Sequence, residues 1–252
     1  MYVELTKLIK TLGKELRLNA GRLSDIGETK KWLTKKDLEI EKRLTKYITS
    51  LPGKHTVYAE ELSNSFEQEE NVWIIDPISY TFHFLHGIPH YAIVIGHMHT
   101  GKMEFGCVYD PSVDELFSAK KSKGAYLNGK RIHVDESDSD IAIMYDPHTR
   151  SRKKLKLDLL SDLMNIGRVT MLGSTAVHYC SVACGRVQAA VALNHDVFPE
   201  FASKLIIEEA GGIFTDTDGG QLLLKTKGII ASNKMLYEKI LSVTSKYGIN
   251  TT

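Results

Sequence analysis

Glu60 and Asp76 are two carboxylates whose setting suits shared chemistry. Each follows a short apolar run, residues 55–59 and 72–75. Runs of this length bounded by turn signals read as buried strands. Pro77 fixes its own backbone and biases Asp76 toward an extended conformation. Asp76-Pro77 is therefore expected to end its strand and hold the carboxylate at the mouth of a sheet. If the two strands are neighbours, Glu60, Asp76 and the Ile78 carbonyl offer oxygens to one hard cation, with water completing its shell. Phosphoryl transfer needs such a cation, because charge must be neutralised on the phosphate and on the leaving oxygen.

Other reactive side chains are placed differently. His83 and His86, three apart, would share a helical face, and His97 and His99 would share a strand face. Imidazole ligands would favour zinc or another transition metal over magnesium. Of these four, His83 falls beside the carboxylate segment, where a packed or hydrogen-bonded ring competes with a metal ligand. Cys107, Cys180 and Cys184 cannot all pair, which fits a reducing cytoplasm. Cys180 and Cys184 fit one helical face without zinc spacing and read as structural. Residues 150–156 form a basic run, either a solvated helix face or a phosphate contact.

The elements that must position these groups alternate between two periods. Residues 3–20 and 38–48 carry apolar positions at helical spacing, and Pro52-Gly53 ends the second helix. Strands are expected at 55–59, 72–75, 91–96, 102–109 and 115–119, with a short one within 124–130. The acidic stretch 135–140 is a surface loop or the junction between a domain of residues 1–138 and one of 139–252, together one compact unit. Beyond it, strands are expected at 141–145, 169–172, 187–193, 213–216 and 228–231. Helices are expected at 157–164, after Gly173-Ser174-Thr175-Ala176, at 201–210 before Gly211-Gly212, and at 234–247. This alternation indicates an α/β or α+β class.

Composition narrows the partners. The chain has 252 residues, 42% hydrophobic and 25% charged, as in ordinary globular proteins. A formal net charge of +1 gives no field for nucleic acid or an acidic membrane. Its apolar runs are too short to span a bilayer, and the start lacks a secretion pattern. A cytoplasmic protein is expected.

The stretch from Val72 to Gly87 resembles the signature of the inositol monophosphatase family, W-I-[IV]-D-P-[IL]-D-G-T-x-N-F. Ala59-Glu60-Glu61 matches the family's G-E-E segment, and Leu33-Thr34-Lys35-Lys36-Asp37 its V-T-x-x-D segment. Lys123 to Gly129, Gly173-Ser174-Thr175-Ala176 and Glu209-Ala210-Gly211-Gly212 follow the same frame. The resemblance implies a layered αβαβα sandwich like that of inositol monophosphatases and fructose bisphosphatases. It implies Mg2+-dependent hydrolysis of a small inositol or sugar phosphate by a homodimer. Glu60 then binds metal and positions water, Asp76 bridges metals, Ile78 binds through its carbonyl and Thr81 orients water. Asp37 falls near a further metal, and Gly173, Ser174 and Thr175 lie beside the substrate.

The match departs from the family at Ser79, Tyr80 and His83, which stand where the motif has aspartate, glycine and asparagine. Counting back from Glu209 puts Phe198-Pro199 on the family's second W-D pair. A shift of three recruits Asp196 instead, and a shift of one recruits Glu200. At most one well-formed Mg2+ site is expected, with Mn2+ or Zn2+ as alternatives. Two functions follow: a metal-dependent phosphomonoesterase, or a catalytically impaired relative acting as a binding or regulatory protein. The largely apolar residues 189–194 argue against tight recognition of a polyhydroxylated ring through that segment.

Overall fold

The computed structural model describes residues 1–28, 32–61, 69–148, 152–193 and 198–250. Helices α1 (Tyr2–Asn19) and α2 (Lys35–Thr49) bury Leu5, Ile9, Leu12 and Leu16, and Ile40, Leu44 and Ile48. That spacing puts each set on one helical stripe. Both stripes close over one face of the first sheet, against Trp73, Ile75, Ile93 and Ile95.

The first sheet holds β1 (Thr56–Ala59), β2 (Asn71–Ser79), β3 (Ala92–His99), β4 (Lys102–Asp110), β5 (Glu115–Lys120), β6 (Ala125–Leu127) and β7 (Lys130–Ile132), in that spatial order. β1 and β2 are parallel and the later pairs antiparallel. A short helix α3 (Thr81–His86) leaves the end of β2. Neither α3 nor β7 was expected as an element; both are too short for a periodic pattern to emerge.

The rest of the chain runs β8 (Ala142–Asp146), α4 (Lys153–Met164), β9 (Arg168–Thr170), α5 (Thr175–Ala183), β10 (Ala189–Leu193), α6 (Phe198–Glu209), β11 (Ile213–Asp216), β12 (Gly228–Ser232) and α7 (Lys234–Thr244). The second sheet has the order β11-β12-β10-β8-β9. β8, β9 and β10 are parallel, and β12 runs antiparallel to β10 and β11. Part of the basic run lies in α4, where Lys153 and Lys154 are exposed.

Three cores alternate with the sheets. α5 and α6 fill the layer between them, where Val94 and Val108 of the first sheet meet Ala190 and Ala231 of the second. α4 and α7 cover the outer face of the second sheet through Leu159, Leu163, Leu236 and Ile240. The order is therefore α1/α2, sheet, α5/α6, sheet, α4/α7, the five-layer sandwich expected. α6 lies close on the first sheet because β4 carries Gly106: a Cβ there would sit 2.5 Å from the Ala202 carbonyl oxygen. Only glycine admits that approach. Among the described residues no helix is long and apolar enough to cross a membrane.

Candidate active site

The first wall of the site is the end of β1 and β2. Ala59 pairs with Ile75, and the Glu60 N–H continues the ladder to the Ile75 carbonyl at 3.1 Å. Glu60 and Asp76 are thus the next neighbours along strands about 4.8 Å apart. The strand does not end at Asp76-Pro77, as the sequence suggested; it runs on to Ser79. Pro77 is tolerated because the register slips there and β1 has already ended, so its missing N–H breaks no ladder bond on that side. Asp76 pairs with Val94 and Ser79 with Ala92, three steps on β2 against two on β3. In a regular strand Asp76 and Ser79 would face opposite sides. The bulge brings both onto the face that Val94 and Ala92 turn to the middle layer.

Ile78 faces the other core, and its carbonyl accepts the Thr81 hydroxyl at 2.9 Å. Thr81 Oγ1 also lies 3.3 Å from Asp37 Oδ1. Asp37 Oδ2 accepts from the Thr34 N–H at 2.7 Å and the Thr34 hydroxyl at 2.6 Å, closing the capping box of α2. One buried carboxylate therefore starts a helix and touches the site. Burial pushes the Asp37 pKa up to about 7, against the Thr34 hydrogen bonds and with help from the Glu61 charge. Tyr80, between Ser79 and Thr81, has φ 71, a left-handed conformation that costs a tyrosine energy.

The second wall is the shared edge of β8, β9 and β10. Parallel strands end on one side of a sheet, and α5 and α6 start there after β9 and β10. Gly173 turns the chain with φ 101. Ser174 precedes α5, and its N–H donates to the His90 carbonyl at 3.3 Å. Its side chain does not cap α5; it donates to Ser79 Oγ at 3.0 Å. That buried hydroxyl pair joins the two walls. The Thr175 hydroxyl donates to Glu200 Oε1 at 3.2 Å, and Glu200 is 1% exposed in the first turn of α6. Glu200, one of the open choices for the second-wall carboxylate, thus touches the Gly173–Thr175 turn. Asp196 lies outside the described residues, as does the side chain of Pro199.

His83 is packed rather than poised as a ligand. Its Nδ1 is 2.7 Å from the Pro89 carbonyl, and a Cβ on Gly173 would lie 2.4 Å from its ring. Burial lowers its pKa, and the Tyr80 ring meets it edge-on at 4.4 Å. Among the described residues no group of three or more His, Cys, Asp or Glu side chains is arranged to hold a metal. Glu60, Asp76 and the Ile78 carbonyl are all oxygen donors, the type that a hard cation takes. They do not fit a histidine-rich zinc site.

Asp146 was missed from sequence. It closes β8, is 7% exposed, and burial lifts its pKa to about 7. A signal existed: Asp146-Pro147 repeats Asp76-Pro77, and Asp110-Pro111 follows the same pattern after β4. All three aspartates are buried.

Comparison with known proteins is consistent across sequence and structure. A family model described as "Inositol monophosphatase family" matches residues 1–248. "Inositol monophosphatase 1" of Bos taurus is 32% identical over 82% of this chain and 79% of its own. "Nus factor SuhB" of Vibrio cholerae is 32% identical over 83% of this chain and 81% of its own. The structure of a Thermotoga maritima IMPase superposes with a TM-score of 0.87 at 27% identity, covering 98% of this chain and 97% of that one.

Proposed function

The chain belongs to the inositol monophosphatase family, and from that premise we propose that it hydrolyses a small phosphomonoester with the help of one divalent cation. Glu60, Asp76 and the Ile78 carbonyl would hold the ion. When bound, it neutralises phosphate charge and makes a coordinated water more acidic. The observation that carries the reading is the intact corner around Thr81. A hydroxyl has one proton, and the nearer Ile78 carbonyl takes it. The Thr81 lone pairs are then left to accept from a water and aim it. Glu60, one ladder step away from Asp76, accepts the proton that the water gives up. Past Ser174, whose N–H is taken by the His90 carbonyl, the first turn of α5 presents backbone N–H groups where negative charge is favoured. The Ser79–Ser174 pair is neutral, so Asp76 has no second carboxylate beside it on β2, and one cation is enough for the site. The reading divides the chain into residues 1–138 and 139–252, one wall from each, and takes the protein to be a cytoplasmic homodimer.

The test is phosphate release by the purified protein from inositol and sugar phosphates with Mg2+, Mn2+ or Zn2+, beside Glu60→Gln. Mg2+-dependent turnover that the variant loses supports the reading. Absence of turnover with every metal removes it. A second reading would then stand: a binding or regulatory protein on the same scaffold. The hydroxyl pair at Ser79 favours that alternative, and one relative is named as a Nus factor.

A further inference from the structure

Asp146 sits at the edge of the site, apart from the cation ligands on β1 and β2. Along β8, Ile143 and Tyr145 face the outer core, while Met144 faces the middle layer with Ala190 and Ala192. Alternation puts Asp146 on the Met144 side, at the strand end where α5 and α6 begin. Its carboxylate accepts a hydrogen bond from the His148 backbone. From the opposite wall, burial and, to a smaller extent, the nearby Asp146 charge raise the pKa of the Tyr80 phenol. The Tyr80 and His148 rings lie 5.8 Å apart. Asp146 thus lies on the inner side of the second sheet, across from Tyr80 of the first wall.

We propose that Asp146 is the general acid that protonates the leaving oxygen, an inference that rests on the hydrolase reading above. Water attacks phosphorus, the bond from phosphorus to the ester oxygen breaks, and its electron pair stays on that oxygen. The Asp146 carboxyl proton passes to it, releasing the alcohol and leaving Asp146 as carboxylate. Glu60 takes the proton lost by the attacking water, and exchange with solvent resets both groups. A neutral Ser79 leaves the leaving oxygen without a charged partner from β2, so a proton is the alternative means of stabilising it. The environment of Asp146 suits an acid: the side chain is buried, with a pKa near 7, so much of it keeps its proton at neutral pH. Among the described residues, the titratable groups around this edge include Tyr80, His83 and His90 from the first wall, His148 beside Asp146, His178 inside α5 and Glu200 on α6.

Leaving-group chemistry tests the assignment. A sugar phosphate expels a poor alkoxide and needs the proton; p-nitrophenyl phosphate expels a stable phenolate and does not. Asp146→Asn should lower kcat/KM for the sugar phosphate by about 100-fold, the usual scale of general-acid catalysis. The loss on p-nitrophenyl phosphate should stay below about threefold, with thermal midpoint and Mg2+ affinity held. The wild type gives a readout independent of the variant's folding: kcat on the sugar phosphate should fall above about pH 7 while the rate on the aryl ester does not. Equal losses on both esters, or matching pH profiles, would overturn the role of Asp146 alone. A wild type inactive on both esters would overturn the hydrolase reading and this inference with it.

Discussion

The wall built on β1 and β2 and the wall built on β8, β9 and β10 meet at the Ser174 to Ser79 side-chain hydrogen bond and are made differently. On the first, backbone registry sets the geometry: a ladder bond places Glu60 beside Asp76, a bulge turns Ser79 to the same side, and Thr81 closes on the Ile78 carbonyl. On the second, helix starts and turns present side chains that bond to each other, Thr175 to Glu200 and Ser174 across the gap. Departures from the family motif fall on both walls: Ser79, Tyr80 and His83 follow Asp76 on the first, and Pro199 takes the place of an aspartate on the second. The lesson is that the cation carboxylates Glu60 and Asp76 sit where regular strand pairing fixes them, while the neutral Ser79 lies just past the bulge.

The sharpest way to break this comparison is Asp76→Asn. Phosphate release should fall by more than about 100-fold, as when a key electrostatic group is removed from an active site. Calorimetric titration should show Mg2+ affinity lost with it. Retained affinity would place the cation elsewhere.

Ser79→Asp comes next. A carboxylate buried beside Asp76 without a cation should cost about 3 kcal/mol, the scale of an uncompensated buried charge. Thermal unfolding should show a midpoint several degrees lower in chelator and recovered with Mg2+. A midpoint indifferent to Mg2+ would mean that the bulge does not bring the two side chains together.

Glu200→Gln should do much less, because the amide oxygen can still accept from Thr175. Mg2+ affinity is expected to change by less than about threefold, in line with the small worth of one neutral hydrogen bond. A large loss of affinity would make the second wall a cation site and dissolve the distinction.

The smallest effect is a divergence with pH. Leu172 N–H donates to His178 Nε2 at 3.1 Å, and burial holds the His178 pKa down to about 4. The stability of that neutral ring is fully present above its ordinary value near 6.5 and is lost as pH falls through about 4. Asp37 has the opposite sign: raised to about 7, it favours the fold most below its ordinary 3.8, and that contribution is lost as pH rises through 7. Lowering pH from 7 toward 4 should therefore speed opening of amides around 172–178 and slow it around 34–41. Hydrogen exchange reads both, and parallel changes would refute the contrast.

What sequence reveals follows the same division. Glu60 and Asp76 are legible because apolar runs ending on carboxylates have a local signature. The capping box at Thr34 and Asp37 is local too. The continuation of β2 past Pro77 is not, since a bulge depends on the partner strand. The Ser79–Ser174 bond joins residues far apart in the chain, and composition carries no trace of it. Asp146 had a readable cue in its Asp-Pro ending, yet nothing local tells which such ending faces a cleft. Asp110, with the same ending, is spent on Ser112 and His90. Glu200 could be named only beside Pro199 and Asp196, because counting residues does not say where a helix begins.

The bulge in β2 has one more consequence. It is a phase setting: a single extra residue decides which way everything after it points. Gaining one codon between Asp76 and Ser79, with the bulge kept, would rotate the serine away toward α1 and α2. Asp76, Glu60 and Thr81 would all remain in the chain, and an inventory of residue types would look nearly intact. In relatives of this protein, the length of that short interval is as informative about the site as the identity of the residues that bound it.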